Sequence, residues 1–305
     1  MSLAIIMPER NGQGLAERLW ALDADLDIQI WPQLERPEDV RFAVCWAPPA
    51  GALQSLPQLD VVQSLGAGVD GLAQQIPIGV RLCRTVSPSL KSDMRDYVLL
   101  SILAEQRQWD AMAKDQAKHH WQPRHYRRGG TVGIMGLGEL GQAVASGLAA
   151  LGFTLKGWSR TPKELDGVQC FDGPAQLGAF LGELDYLVCL LPLTDQTRGL
   201  MDRDFFQRLG KAPYLIHAGR GPQLVESDLL AALDNQWLRG ACLDVFHQEP
   251  LPAGHPFWAH PRIRITPHCA SVTSGKELAK AVYHNYLAMR QGLALNHLVD
   301  TTQEY

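Results

Sequence analysis

The stretch Thr131-Val132-Gly133-Ile134-Met135-Gly136-Leu137-Gly138-Glu139-Leu140-Gly141 decides how this chain is read. A short strand-like run enters a G-x-G-x-x-G turn, and the turn opens a helical pattern with Leu140, Val144, Leu148 and Leu151 on one face. In that setting Gly136 permits the tight turn, and Gly138 lets a pyrophosphate approach the backbone. Gly141 lets the helix pack on the strand, and the phosphates meet the helix N-terminus. Alone, the glycine pattern reads equally well as an ordinary turn; between strand and helix it predicts a dinucleotide site.

The strand after that helix, residues 154–158, should end in a carboxylate for the adenosine ribose if the dinucleotide is NAD. The chain instead reads Trp158-Ser159-Arg160-Thr161-Pro162-Lys163. Arg160 offers a planar fork to a 2′-phosphate, Ser159 and Thr161 offer hydroxyls, and Lys163 adds charge, so NADP is favoured over NAD. The competing reading is a solvated strand end. A methyltransferase, which uses a similar loop, also wants an acid here and is disfavoured for the same reason.

Outward from this core, short Val-, Ile- and Leu-rich runs alternate with helical patterns from end to end, which predicts an α/β fold with parallel sheets. Strands are expected near residues 4–7, 27–31, 41–46, 61–64 and 81–85, and a second set near 131–135, 154–158, 186–191, 214–217, 240–245 and 262–266. A long helix is predicted over 92–118, with Leu99, Leu100, Ile102, Leu103, Trp109 and Met112 as its apolar face. The segment 121–130, with Pro123, three arginines and a Gly-Gly pair, reads as a linker. A last helix over 274–291 follows the second sheet and could return to the first unit.

The length of 305 residues suits about two domains, and 46% hydrophobic with 20% charged residues is ordinary for a globular chain. A net charge of −4 argues against nucleic acid as a partner. The apolar run 3–8 meets Glu9 and Arg10 without a basic flank or cleavage site, so no secretion signal is expected. No apolar run approaches membrane-spanning length. The six cysteines are dispersed without a Cys-x-x-Cys pair, which points to a reducing cytoplasm and no metal site.

Three polar residues follow strands of the second set: Arg220, Glu249 and His268. In a parallel sheet those ends line the ligand crevice. Ketone reduction needs a cation for a carboxylate and carbonyl, a proton donor for the developing alkoxide, and a carboxylate to hold that donor. Singly, each could be a turn residue or a cap; three coincident strand ends favour the chemical reading.

Over nearly its whole length the chain resembles the D-isomer-specific 2-hydroxyacid dehydrogenases. The resemblance rests on the glycine loop, Leu191-Pro192-Leu193-Thr194, Gly219-Arg220-Gly221, the run from Leu243 to Pro252, and Pro267-His268. It implies that His268 is the acid/base, that Glu249 orients it, and that Arg220 binds the 2-oxoacid. It adds Glu139, Leu140, Leu191, Pro192, Ala218, Gly219 and Asp244 to the cofactor contacts. It also assigns Trp46 and the backbone amides of Ala67 and Gly68, in the loop 64–70, to the substrate. Trp46, Trp258 and Arg160 make the chain most similar to the NADPH-dependent glyoxylate/hydroxypyruvate reductase branch.

The implied division is a Rossmann NADP-binding domain, residues 96–274, inserted into a flavodoxin-like substrate domain, residues 1–95 plus 275–305. The implied assembly is a homodimer formed through the long helix. One departure is His217, where the family commonly has Asn. A non-catalytic dinucleotide-sensing protein and a phosphoglycerate dehydrogenase are the alternatives. The former is disfavoured by the intact trio, the latter by the absence of cations between residues 64 and 76.

Overall fold

The computed structural model of the chain describes residues 1–8 and 10–300. They form two compact units, one built from Met1–Leu90 together with the chain from Thr273 onward, the other from Lys91–Val272. In the first, β1 (Ser2–Ile6), β2 (Ile28–Ile30), β3 (Val40–Cys45), β4 (Val61–Ser64) and β5 (Arg81–Cys83) form a parallel sheet in the order β2-β1-β3-β4-β5.

Strand side chains alternate, so Leu3 and Ile5 enter one core while Ala4 and Ile6 enter the other, and all four are fully buried. Helix α1 (Gly12–Trp20) and the C-terminal helix Gly275–Gln291 cover the Leu3 face with Leu15, Leu19, Val282 and Tyr286. Each is started by a side-chain cap. Asn11 accepts from the Gly14 amide at 2.9 Å, and Ser274 accepts from the Glu277 amide at 3.2 Å.

The second unit holds β6 (Thr131–Met135), β7 (Thr154–Ser159), β8 (Val168–Asp172), β9 (Tyr186–Cys189), β10 (Tyr214–His217), β11 (Gly240–Leu243) and β12 (Ile263–Ile265). They form one parallel sheet in the order β12-β11-β10-β9-β6-β7-β8. The helices are α2 (Pro88–Gln106), α3 (Trp109–Ala117), α4 (Glu139–Ala150), α5 (Gly173–Leu181), α6 (Arg203–Gln207) and α7 (Glu226–Asp234). The chain winds outward from β6 through β7 to β8, then restarts at β9 and winds the other way. The strand order therefore reverses between β6 and β9, where a doubly wound sheet opens its ligand crevice.

Three expectations need correction. The second sheet has seven strands, not six. β8 sits at its edge and is only half buried, so Val168-Gln169-Cys170-Phe171-Asp172 lacks the apolar run that marks a central strand. The helix expected over 92–118 is two helices: Gln108 takes a left-handed conformation, φ +53°, and restarts the chain as the cap of α3. Its face differs as well, with Met94, Val98 and Ile102 in the core and Leu100, Leu103 and Trp109 exposed.

The segment 121–130 lies inside the second unit instead of linking two units. It folds back on the helix break, where Gln108 donates to the His125 carbonyl at 2.7 Å and Gln106 to the Gly129 carbonyl at 2.8 Å. No Gly or Pro marks that break, so the sequence carries no local signal for it.

Glu105, near the end of α2, ties that helix to the sheet. Its carboxylate accepts from Tyr186 Oη at 2.8 Å and from Arg239 Nε at 2.9 Å and Nη2 at 3.2 Å. Burial alone would raise its pKa; the Arg239 bond and charge, the Tyr186 bond and the Arg127 charge together hold it below the usual carboxylate range. A carboxyl depressed in the folded state stabilises the fold above its unfolded pKa, about 4.3, and loses that contribution as the pH falls through the folded value. Glu105→Gln should therefore lower stability at pH 7 by about 2–4 kcal/mol, because Arg239 keeps a buried charge without its partner. The gap from the native protein should narrow as the pH falls below the unfolded value and close once it has passed through the folded one, as measured by chemical denaturation across that range.

Candidate active site

The glycine loop joins β6 to α4 at the reversal of strand order. Gly136 has φ +101°, which glycine adopts without strain, and a side chain there would press on the Leu190 carbonyl. A methyl group at Gly141 would overlap the Gly136 carbonyl oxygen, so helix and turn pack backbone to backbone. Gly138 caps α4 and has nothing within 4 Å of where its Cβ would lie. Open space over free helix amides is what a pyrophosphate requires. Glu139 and Leu140 form the first turn behind it.

At the end of β7, Ser159 is buried and its hydroxyl donates to the Thr161 carbonyl at 2.7 Å. Arg160, Thr161 and Lys163 follow it on the surface. The cations expected for a 2′-phosphate thus stand at the strand end beside the glycine loop. The strand missed in the sequence places Asp172 in register with Ser159.

Arg220, Glu249 and His268 lie beyond the ends of β10, β11 and β12. His268 Nδ1 is 2.6 Å from Glu249 Oε2, a short charge-assisted bond in which the ring nitrogen donates. The other carboxylate oxygen, Oε1, accepts from the Phe246 amide at 2.9 Å, which fixes the carboxyl plane. His268 Nε2 has no protein partner among the described residues. Gly221, next to Arg220, packs so tightly on Phe246 and His247 that any side chain would overlap the Phe246 carbonyl. The arginine turn therefore rests on the loop that carries Glu249, and Glu249 holds His268.

Asp244 anchors this arrangement. It is 2% exposed; Oδ1 accepts from Thr266 Oγ1 at 2.6 Å and the Cys269 amide at 2.9 Å, and Oδ2 accepts from the Ala270 amide at 2.9 Å. Its backbone carbonyl accepts from the His268 amide at 2.9 Å. Burial pushes the Tyr97 phenol up, so it stays protonated and donates to Thr266 at 2.8 Å, leaving the Thr266 hydroxyl hydrogen for Asp244.

Leu191 and Pro192 follow β9, and Ala218 and Gly219 follow β10, so these expected cofactor contacts share one edge of the sheet. Gln223, fully buried, joins them. It donates to the Leu191 carbonyl at 3.0 Å and the Pro192 carbonyl at 2.8 Å, and accepts from the Arg220 amide at 2.9 Å. Gln223, Thr266 and Tyr97 were not identified from the sequence. The only signal for Gln223 is an amide within the run Gly221-Pro222-Gln223-Leu224-Val225.

In the first unit, the loop after β4 is shaped by Ser64, whose Oγ donates to the Gly68 carbonyl at 3.1 Å and accepts from the Gly66 amide at 3.3 Å. The amides of Ala67 and Gly68 donate to no group among the described residues. Trp46 packs on Gly66 and carries the Arg10 guanidinium 4.2 Å above its ring. Trp258 is exposed on the single turn Pro256–Ala259, its indole donating to the Pro252 carbonyl at 2.9 Å. The described residues contain no group of three His, Cys, Asp or Glu placed to hold a metal ion.

The family model for the D-isomer specific 2-hydroxyacid dehydrogenase NAD binding domain matches residues 99–270. A glyoxylate/hydroxypyruvate reductase A of Serratia proteamaculans is 39% identical over 302 residues, covering 96% of this chain and 95% of the relative.

Among solved structures, a D-isomer specific 2-hydroxyacid dehydrogenase from Xanthobacter autotrophicus, in complex with NADPH and MES, has TM-score 0.94 and 36% identity. That match covers 100% of this chain and 99% of the other. The NADPH-dependent glyoxylate/hydroxypyruvate reductase from Sinorhizobium meliloti, in complex with NADP and sulfate, has TM-score 0.92 and 35% identity, with 100% of both chains covered. By sequence, by fold and by the paired histidine and glutamate beside the arginine turn, this chain belongs to the D-isomer-specific 2-hydroxyacid dehydrogenase family.

Proposed function

We propose that the chain is an NADPH-dependent reductase of small 2-oxoacids, converting glyoxylate to glycolate and hydroxypyruvate to D-glycerate. The observation that carries this reading is the 2.6 Å bond from His268 to Glu249, which leaves Nε2 for a substrate oxygen. The kinship with reductases of that activity supports it. Bound NADPH supplies the hydride that the carbonyl carbon receives. The open amides at Gly138 hold its pyrophosphate, and Arg160, with Thr161 and Lys163, meets the 2′-phosphate.

The remaining steps belong to the chain's own side chains. His268 donates its Nε2 proton to the carbonyl oxygen as negative charge builds there, and the Glu249 carboxylate, bonded to Nδ1, keeps the ring oriented. Arg220 binds the carboxylate of the 2-oxoacid and stabilises the developing alkoxide. Trp46 and the undirected amides of Ala67 and Gly68 bind substrate, and residues 96–274 hold the cofactor while 1–95 and 275–305 carry the substrate loop. Six cysteines, all free thiols, suit a cytoplasmic protein. No described helix is long and apolar enough to cross a membrane.

The test is steady oxidation of NADPH with glyoxylate and with hydroxypyruvate, with NADH run alongside. Binding of NADPH without turnover of any 2-oxoacid would favour a dinucleotide-sensing protein instead.

Replacing Arg160 with Ala should weaken NADPH use roughly 10- to 150-fold and leave NADH use nearly unchanged, because only the 2′-phosphate engages the guanidinium. Equal losses with both cofactors in steady-state assays would contradict that role. His268→Ala should lower kcat by about 10²–10⁴-fold with little change in NADPH affinity. Rapid turnover in that variant would refute the proton-donor assignment. The chain should also form a homodimer through the region of α2 and α3, where Leu100, Leu103 and Trp109 are 66%, 40% and 64% exposed. Light scattering at micromolar concentration should return twice the 33.7 kDa chain mass.

A further inference from the structure

The turn that carries Arg220 is gripped on both sides by buried polar side chains that the proposed reaction does not use. On one side, Gln223 accepts from the Arg220 amide at 2.9 Å. On the other, the Nε2 of His217, a fully buried residue at the end of β10, bonds to the Arg220 carbonyl at 3.0 Å. A carbonyl only accepts, so this nitrogen carries the hydrogen and the ring is the neutral Nε2–H tautomer.

Among the described residues His217 Nδ1, also buried, has no hydrogen-bond partner. Burial pulls the His217 pKa down to about 4, so the ring stays neutral at physiological pH. The Gln223 amide has its orientation fixed in turn: a flip would set its oxygen against the Leu191 and Pro192 carbonyls and its NH₂ against the Arg220 amide. Gly219 belongs to the same device, since a methyl group there would overlap Gln223 Oε1.

We infer that His217 and Gln223 are positioning residues for the substrate-binding arginine: His217 sets the Arg220 carbonyl, and Gln223 locks the Arg220 amide to the Leu191–Pro192 loop. The inference rests on the reading of Arg220 as the cation for the 2-oxoacid. It makes the two residues unequal. The side-chain hydrogen bond of His217 goes to the arginine turn, so its loss should fall chiefly on the 2-oxoacid. Gln223 touches the arginine turn and the loop assigned to the cofactor, so its loss should affect both ligands. A side chain needed only for stability would not produce that split.

The experiment measures kcat and KM for glyoxylate, NADPH affinity by fluorescence titration, and melting temperature for His217→Leu, His217→Gln and Gln223→Met. His217→Leu should lower kcat/KM for glyoxylate about tenfold or more, the scale set by one buried carbonyl left without its donor, with NADPH affinity within about twofold of native. His217→Gln, which restores an N–H donor, should recover most of that loss. Gln223→Met should weaken glyoxylate use and NADPH binding together.

Native kinetics in His217→Leu would overturn the inference, as would losses of NADPH affinity in His217→Leu that parallel its losses with glyoxylate. If His217→Leu fails to fold, Gln223→Met decides: a loss confined to melting temperature, with both ligands handled normally, would overturn it. A native protein that turns over no 2-oxoacid would refute the underlying reading of Arg220, whereas turnover unaffected by these substitutions would refute the clamp alone.

Discussion

A buried carboxylate must be surrounded by donors, and the placement of Asp244 sets the geometry on which the rest of the site depends. At 2% exposure it accepts from the Thr266 hydroxyl and the Cys269 and Ala270 amides, all in the segment that carries His268. Each unmet acceptor of such a group would cost about 1–3 kcal/mol or more, so the segment has little freedom to wander. It must curl around the carboxylate, and His268 takes φ +51° at the turn, a left-handed conformation uncommon outside glycine that histidine enters more readily than most residues.

The same logic recurs along the sheet edge. Parallel strands deliver their C-terminal ends to one side, but a strand end fixes only the start of a loop, and the apolar residues the loops bury, such as Leu137, Leu191 and Phe246, do not set amide directions. What holds each is a short polar side chain beneath it: Gln223 under the Leu191–Pro192 segment, Glu249 reaching the Phe246 amide, Asp244 under Cys269 and Ala270. In the first unit, Ser64 does this for the loop from Gly66 to Gly68. Side-chain bonds to backbone suit the purpose because they fix amide directions, and amide directions are what anion recognition uses.

The parts of this architecture that could be read from sequence are those whose requirement is local. Gly136 and Gly141 are demanded by a turn and a close packing a few residues apart, so the pattern, the strand and the helix appear together in one short stretch. The central strands are mostly apolar because both of their faces are covered. β8 escaped notice because an edge strand keeps Gln169 and a half-exposed Cys170, and the break at Gln108 because it is made by a distant segment folding onto it. Arg220, Glu249 and His268 were found because charged residues at the ends of apolar strands are conspicuous. Gln223, Thr266 and Tyr97 were not, since an amide, a hydroxyl and a phenol acquire their roles only when the fold brings them beneath the right carbonyl or carboxylate.

This separation has a physical reason. His268 and Glu249 must remain accessible, with 46% and 35% of their side chains exposed, because a proton donor shut away from its substrate does nothing. Exposed side chains cannot draw their orientation from packing, and a single exposed ion pair contributes little stability. Their alignment is therefore inherited from the backbone below, and the backbone from buried carboxylate and amide groups that never meet the substrate. Chemistry and alignment are carried by different residues in successive layers, the outer one recognisable by charge and the inner one only by the hydrogen bonds it makes.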